Sequence, residues 1–319
     1  MNIRSHSPAR LIAGALLLLA NIPASAATPP PPASFAYVLQ ADALAKTKAA
    51  AVTQLAACGR DWIVLDAAFS TDEPWTPADL KFIRADKTGR KVVAYLSIGE
   101  AEDYRPYWKP EWDANKDGKP DTNAPAFLVG ENPDWSGNYR VKYWHADWQK
   151  IILAAVDQIM AQGFDGVYLD IVDGFETFER DGKKFIDDRV NPDTKQSYRR
   201  DMVDWVKAVA ARAHAANPAA LVIPQNGAQL LAHTDFAGAV NAIGLEDLFS
   251  NGNKLQPADH TKYVLSFLTP LTAAHKPVLV IEYPKSKERQ AFVRAQAEKN
   301  GFVGLVTDRQ LKTLGESGK

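Results

Sequence analysis

The 319-residue sequence predicts an α/β protein: a single-domain (β/α)8 TIM barrel with a long aromatic-rich insertion after the third strand. Three observations carry that expectation. Short β-branched runs alternate with longer helical patterns along the chain. The strand runs are apolar throughout, as expected of parallel strands covered on both faces. One local pattern also recurs without gaps, in Gly59–Asp66, Gly163–Asp170 and Gly301–Asp308. Each copy reads as a helix-ending glycine, a short turn, an apolar strand and an acid at its C-terminal end. An open doubly wound sheet is the alternative. No G-x-G-x-x-G follows the first strand run and no P-loop occurs, which weighs against it.

Residues 1–26 read as an export signal. Arg4 and Arg10 precede the apolar run Leu11 to Ala20, and Ala24-Ser25-Ala26 forms an A-x-A cleavage site. The run is shorter than the roughly 20 apolar residues of a membrane span, so an uncleaved anchor is the lesser alternative. The expected localisation is secreted or periplasmic. Residues 27–34 form a Pro-rich tether and 35–319 the barrel.

The predicted strands run Phe35 to Leu39, Asp61 to Asp66, Lys91 to Ile98, Gly166 to Ile171, Ala220 to Pro224, Ala239 to Glu246, Pro277 to Glu282 and Phe302 to Asp308. Between them, helical patterns cover Ala43 to Ala57, Pro77 to Lys87, Asp147 to Gln162, Pro192 to Ala216, Gln229 to His233, Pro257 to His275 and Ser286 to Asn300. A short closing helix is expected in Arg309 to Leu314. Residues 99–146 read as a long irregular insertion.

Composition removes several function classes. Net charge is −1 and pI about 6.6, so no global field draws the chain to nucleic acid or an anionic membrane. The single cysteine, Cys58, excludes an intrachain disulfide framework and a multi-cysteine zinc site. No G-x-S-x-G elbow is present, and the six histidines show no H-x-x-x-H spacing.

Carboxylates collect instead where a barrel places its chemistry, at the C-terminal strand ends. These ends carry Asp66, Glu100, Asp170 with Asp173, Gln225 with Asn226, Glu246 with Asp247, Glu282 and Asp308. Glycosidic hydrolysis needs two carboxyl groups, one to attack or steady the anomeric centre and one to protonate the leaving oxygen. Crowded acids also push one another's pKa values apart. A structural reading stands beside this one. Asp66 and Asp308 could cap the following segment, and Asp173 could belong to a turn before Gly174.

The insertion and its edge hold Trp108, Trp112, Trp135, Trp144 and Trp148, with Tyr104, Tyr107, Tyr139 and Tyr143. Such rings can stack on sugars or form a local core. Within it, Asp113, Asn115, Asp117 and Asp121 follow the spacing of a calcium loop, and are candidate calcium ligands. Ala124 stands where the bidentate acid belongs, so the spacing fits an ordinary turn as well. No resident cofactor or metal is assigned.

Val92-Val-Ala-Tyr95-Leu-Ser97-Ile-Gly99-Glu100 with Arg105, and Gly163-Phe-Asp165-Gly166-Val-Tyr-Leu-Asp170-Ile-Val-Asp173, resemble the third- and fourth-strand motifs of glycoside hydrolase family 114. Gln225-Asn226-Gly227, Gly244-Leu-Glu246 and Ile281-Glu282-Tyr283 resemble the fifth, sixth and seventh. The similarity, to the endo-α-1,4-polygalactosaminidases and their relatives, covers nearly all of the chain after residue 26, in order. It implies a (β/α)8 barrel with Asp170 as nucleophile and Glu246 as general acid/base. It also implies that Tyr95, Asp173, Asn226 and Glu282 line the pocket, and we add Asp66, Glu100, Tyr283 and Asp308 as candidate substrate-binding residues. The implied partner is a polysaccharide, a cationic amino-sugar polymer. An acidic cleft suits such a substrate. A non-catalytic carbohydrate-binding or biofilm-associated barrel is the alternative, since fold alone does not fix activity. No oligomeric state is readable.

Overall fold

The computed structural model describes residues 31–85 and 87–317. The expected signal peptide at 1–26 and the first part of the tether lie outside the described residues.

Eight parallel barrel strands follow the predicted order. β1 (Phe35–Val38), β2 (Trp62–Leu65), β3 (Lys91–Ser97), β4 (Gly166–Asp170) and β5 (Leu221–Pro224) form one sheet. β6 (Ile243–Glu246), β7 (Val278–Glu282) and β8 (Val303–Val306) form a second. Gln225 bridges to Gly244 in parallel, and the Asn226 N–H donates to the Gly244 carbonyl at 2.8 Å, tying β5 to β6. At the opposite seam, Glu316–Ser317 pairs antiparallel with β8, and the Phe35 N–H donates to Ser317 Oγ at 3.1 Å.

Alternation inside each strand explains the continuous apolar runs. Phe35, Tyr37, Val64, Val93, Tyr168, Ile223, Ile281 and Leu305 point into one shared interior. The intervening residues, such as Ala36, Ile63, Val92, Val167 and Val222, pack outward beneath the helices. Both faces are therefore dry, as in a filled barrel. The recurring glycine also has a physical basis: Gly59, Gly163 and Gly301 all adopt left-handed φ, of 71°, 92° and 71°.

Several boundaries differ from the sequence expectation. The first helical stretch is two helices, Ala41–Leu44 and Lys48–Ala57, and the Thr47 side chain caps the second. The expected helix from Pro192 starts at Tyr198, because Asn191 and Thr194 instead donate to the buried Asp201 carboxylate at 2.7 and 2.8 Å. The predicted strand from Ala239 begins only at Ile243, after a helix at Thr234–Ala239. Pro257 to His275 divides into Ala258–Ser266 and Thr269–Ala273, the latter opening on Pro270. The closing helix is replaced by a turn. Asp308 accepts from the backbone N–H groups of Gln310, Lys312 and Thr313.

The largest correction concerns residues 99–146, which are ordered rather than irregular. Glu100–Glu102, Trp135–Val141 and Leu128–Asn132 make a three-stranded antiparallel sheet with Trp135–Val141 in the centre. Trp108 packs on Trp112 and Tyr139, and Phe127 on Trp112 and Trp148. Most of the aromatic concentration is thus a local core, while Trp135 and Tyr104 remain exposed.

Candidate active site

The site sits at the C-terminal ends of the barrel strands. Asp170 ends β4. Its Oδ2 accepts from the Tyr95 hydroxyl of β3 at 2.8 Å, and its Oδ1 accepts from the Ile171 N–H at 2.8 Å. Ile171 holds a left-handed φ of 56°, which turns the chain sharply just beyond the acid. Glu246 ends β6. Its Oε1 accepts from the Tyr283 hydroxyl beyond β7, and its own N–H donates to Asn226 Oδ1 at 3.1 Å.

One side chain touches both acids. Gln225 Nε2 donates to Asp170 Oδ1 and to Glu246 Oε2, each at 2.9 Å. The two carboxylate oxygens are therefore separated by at most about 5.8 Å, twice that distance.

Burial raises the pKa of both acids. Burial, then the neighbouring Asp170 charge, push Glu246 up to about 7. Burial pushes Asp170 up to about 6, and the Tyr95, Ile171 and Gln225 donors hold it back by stabilising the carboxylate. Two buried acids this close titrate as a coupled pair.

The other candidates divide into four groups. Asp173 lies in the turn after β4; burial, then Glu176, Asp170 and Glu246, push its carboxyl well up. It lies near enough to Asp170 and Glu246 to feel their charges. Tyr95, Asn226 and Tyr283 position the two acids, as above. Asp66 is held by Arg105 through paired hydrogen bonds of 3.0 and 2.7 Å, so it is more than a cap. Arg105 also reaches Glu102 at 2.6 Å and lies against the Tyr95 and Tyr104 rings. Glu100 is buried beside this group. Asn132 donates to its Oε1 at 2.8 Å, Oε2 has no partner, and burial pushes it up to about 7.

Two further candidates make their hydrogen bonds within neighbouring loops. Glu282 is 2% exposed and accepts from the Phe249 N–H, the Ser250 N–H and Ser250 Oγ. It fastens the loop after β6 from below. Asp308 holds the turn at 310–313, as the capping alternative has it.

The calcium expectation also changes. Asp113 accepts from the Asp117 and Gly118 N–H groups and from the Tyr139 hydroxyl; Asn115 and Asp121 accept from the Asp117 and Ala114 N–H groups; Asp117 accepts from the Lys119 N–H. These side chains brace their own loop instead of converging on a point. Among the described residues no group of three or more His, Cys, Asp or Glu could hold a metal ion.

Sequence reasoning left Gln225, Glu102 and Glu176 outside the site. Gln225 stood at a strand end but is not an acid, and Glu102 was hidden in a segment read as irregular.

Comparison with known proteins places the chain in a family. The family model described as Glycoside-hydrolase family GH114 matches residues 18–318. A protein of Deinococcus radiodurans is 35% identical over 253 residues, covering 79% of this chain and 74% of that one. A protein of Methanocaldococcus jannaschii is 32% identical over 266 residues, covering 79% and 71%. Among solved structures, the glycoside hydrolase domain of PelA from Pseudomonas aeruginosa superposes with a TM-score of 0.62 at 21% identity, covering 90% of this chain and 98% of that one. Aspergillus fumigatus Ega3, in complex with galactosamine, gives 0.62 at 18% identity, covering 92% and 96%. No helix among the described residues is long and apolar enough to cross a membrane. With its motifs in register on the barrel strands and the family model matched along nearly its whole length, the chain belongs to glycoside-hydrolase family GH114.

Proposed function

We propose that this glycoside hydrolase cleaves an α-1,4-linked, galactosamine-containing polysaccharide outside the cytoplasm, by a retaining mechanism. Asp170 attacks the anomeric carbon while Glu246 gives its proton to the leaving oxygen. Glu246 then takes a proton from a water, whose oxygen displaces Asp170 and regenerates both groups. The observation that carries this reading is the shared Gln225 amide. Its two 2.9 Å bonds keep Asp170 Oδ1 and Glu246 Oε2 within about 5.8 Å of each other. Retaining pairs stand about 5–5.5 Å apart, whereas inverting pairs need about 6.5–9.5 Å to admit a water.

Charge supports the substrate class. Asp173, Glu176, Asp170 and Glu246 crowd one side of the mouth, each with its pKa raised by burial. An ammonium group would relieve that repulsion, and a uronic acid would worsen it. The galactosamine bound in Ega3 is consistent with the same choice. The A-x-A site after an apolar run supports export.

The test is reducing-end release from de-N-acetylated α-1,4-galactosaminan, with fully N-acetylated and uronic polymers alongside. Proton NMR of the first product should show the α-anomer before mutarotation. Release by wild type and none by Asp170→Asn is expected; binding without release by wild type would favour a carbohydrate-binding barrel. Exported material should begin at Ala27 by mass spectrometry.

A further inference from the structure

The Tyr104 ring is 50% exposed, yet its position is fixed. Its hydroxyl donates to Glu102 Oε1 at 2.6 Å, and Glu102 is itself buried. The Arg105 guanidinium lies over the ring, 5.1 Å from the centroid, and is held in turn by Asp66 and Glu102. With one face under Arg105 and the polar tip on Glu102, the exposed half of the ring is its opposite face.

That face stands close to the acid pair. The same Glu102 oxygen is 3.4 Å from the Tyr95 hydroxyl, which donates to Asp170 Oδ2 at 2.8 Å. These contacts put the Tyr104 hydroxyl oxygen within about 9 Å of Asp170 Oδ2. Adjoining units of one sugar chain bridge such a distance.

We propose that Tyr104 is a stacking platform for a sugar unit of the bound polysaccharide, next to the unit held at the acid pair. The proposal rests on the glycosidase reading above and gives it a second sugar position. A pyranose of galacto configuration carries the C–H groups of carbons three, four and five on one side. That side can lie on an aromatic face while the polar groups point to the rim and to water. A ring already held in place loses little freedom when the sugar arrives. The neighbouring acids Asp66 and Glu102 are both paired with Arg105, so this position offers an apolar face and not a free charge. It recognises the C–H side of a sugar whether the amine is free or acetylated.

Two substitutions separate the ring from its hydrogen bond. Tyr104→Phe keeps the face and loses the bond to Glu102; Tyr104→Gln keeps a donor and loses the face. Both are read in the Asp170→Asn background, by calorimetry with de-N-acetylated α-1,4-galactosaminan oligomers. Kd should stay within about twofold of the parent in Tyr104→Phe and rise about five- to tenfold in Tyr104→Gln, the size of a lost aromatic contact. A loss in Tyr104→Phe equal to or greater than that in Tyr104→Gln would overturn the proposal, since the ring would then only brace Glu102. Should Tyr104→Gln fold poorly, tyrosine-labelled protein decides the matter. Nuclear Overhauser contacts should link sugar C–H protons to the ring signal that Tyr104→Phe removes, and their absence overturns the platform. N-acetylated and uronic oligomers run alongside. A parent protein that prefers one of these to galactosaminan refutes the proposed substrate, while the contrast between Tyr104→Phe and Tyr104→Gln on the bound oligomer still decides the platform.

Discussion

Arg105 closes on Asp66 with two parallel hydrogen bonds of 3.0 and 2.7 Å, joining the insertion to the end of the second barrel strand. The same guanidinium donates to Glu102 at 2.6 Å, so one cation neutralises two acids at the edge of the mouth. Both acids are well shielded, at 15% and 3% side-chain exposure. Arg105→Met should cost about 3 kcal/mol, the range for breaking a buried pair. It should also raise the Asp170 midpoint, because the Glu102 charge already pushes that group up. Arg105→Lys should restore little, since a lysine lacks the fork that spans both partners. Denaturant melts of the three proteins, with a midpoint for Arg105→Met equal to wild type, would refute the pairing as a stabilising element.

Stability should fall as pH rises through the neutral range. Glu100, Glu246 and Glu282 are each pushed up to about 7, and Asp170 to about 6, chiefly by burial. Their folded pKa values exceed the unfolded ones, so the native state binds protons more tightly between about pH 4 and 7. Stability from these groups is full below the unfolded values and is lost as pH climbs to 7. Acids whose pKa values are lowered, such as Asp61, Asp79 and Asp235, act oppositely and lose their contribution below about pH 4. The melting temperature should therefore peak in mildly acidic solution and decline toward pH 8.

Glu100→Gln isolates one part of that slope. The amide oxygen keeps the Asn132 bond, and the unpartnered Oε2 no longer carries charge. The variant should gain up to about 3 kcal/mol at pH 8 and almost nothing at pH 5. A gain of equal size at both pH values would show that charge burial is not the cause.

Much of the barrel was legible because the physics is local. Continuous apolar runs such as Trp62–Leu65 and Val278–Glu282 report burial on both faces, and the glycines at 59, 163 and 301 report a backbone that other residues avoid. The insertion was not legible. Leu128–Asn132 and Trp135–Val141 contain Gly130, Gly137 and several polar residues; they form a local hairpin, but the sheet is completed only by the distant Glu100–Glu102. Asp170 and Glu246 were two of several acids at strand ends, and the family resemblance singled them out. Glu282 had the same pattern, and only tertiary structure turns it toward Phe249 and Ser250. Gln225 was noted at a strand end but given no role, because a neutral amide shows its value only when two acids converge on it.

Chelation should leave the protein unchanged. The Asp113 carboxylate already accepts two backbone N–H groups and a tyrosine hydroxyl, so the loop is satisfied without an ion. Melting curves with excess chelator and with millimolar calcium should coincide. A calcium-dependent rise would mean that these side chains rearrange to bind it.

The sharpest chemical expectation concerns Glu246. Its proton must leave with the departing oxygen in the first step, so its loss matters in proportion to how badly the leaving group needs protonation. Glu246→Gln should keep the Gln225 and Tyr283 contacts within reach while removing the exchangeable proton. Activity on polymer should fall about 10²–10⁴-fold, the usual worth of a positioned acid or base. An aryl glycoside with an acidic phenol should recover the first step and accumulate the glycosyl-enzyme, because the water in the second step still lacks its base. A small anion such as azide, needing no base, should then release that intermediate as an α-glycosyl azide. In wild type, kcat/KM should trace a narrow bell with limbs near pH 6 and 7, from ionised Asp170 and protonated Glu246. The upper limb should vanish in Glu246→Gln with the activated substrate, leaving a plateau above pH 6. If that limb persists there, the proton donor is another group, and Asp173, raised by burial beside the same pair, becomes the candidate.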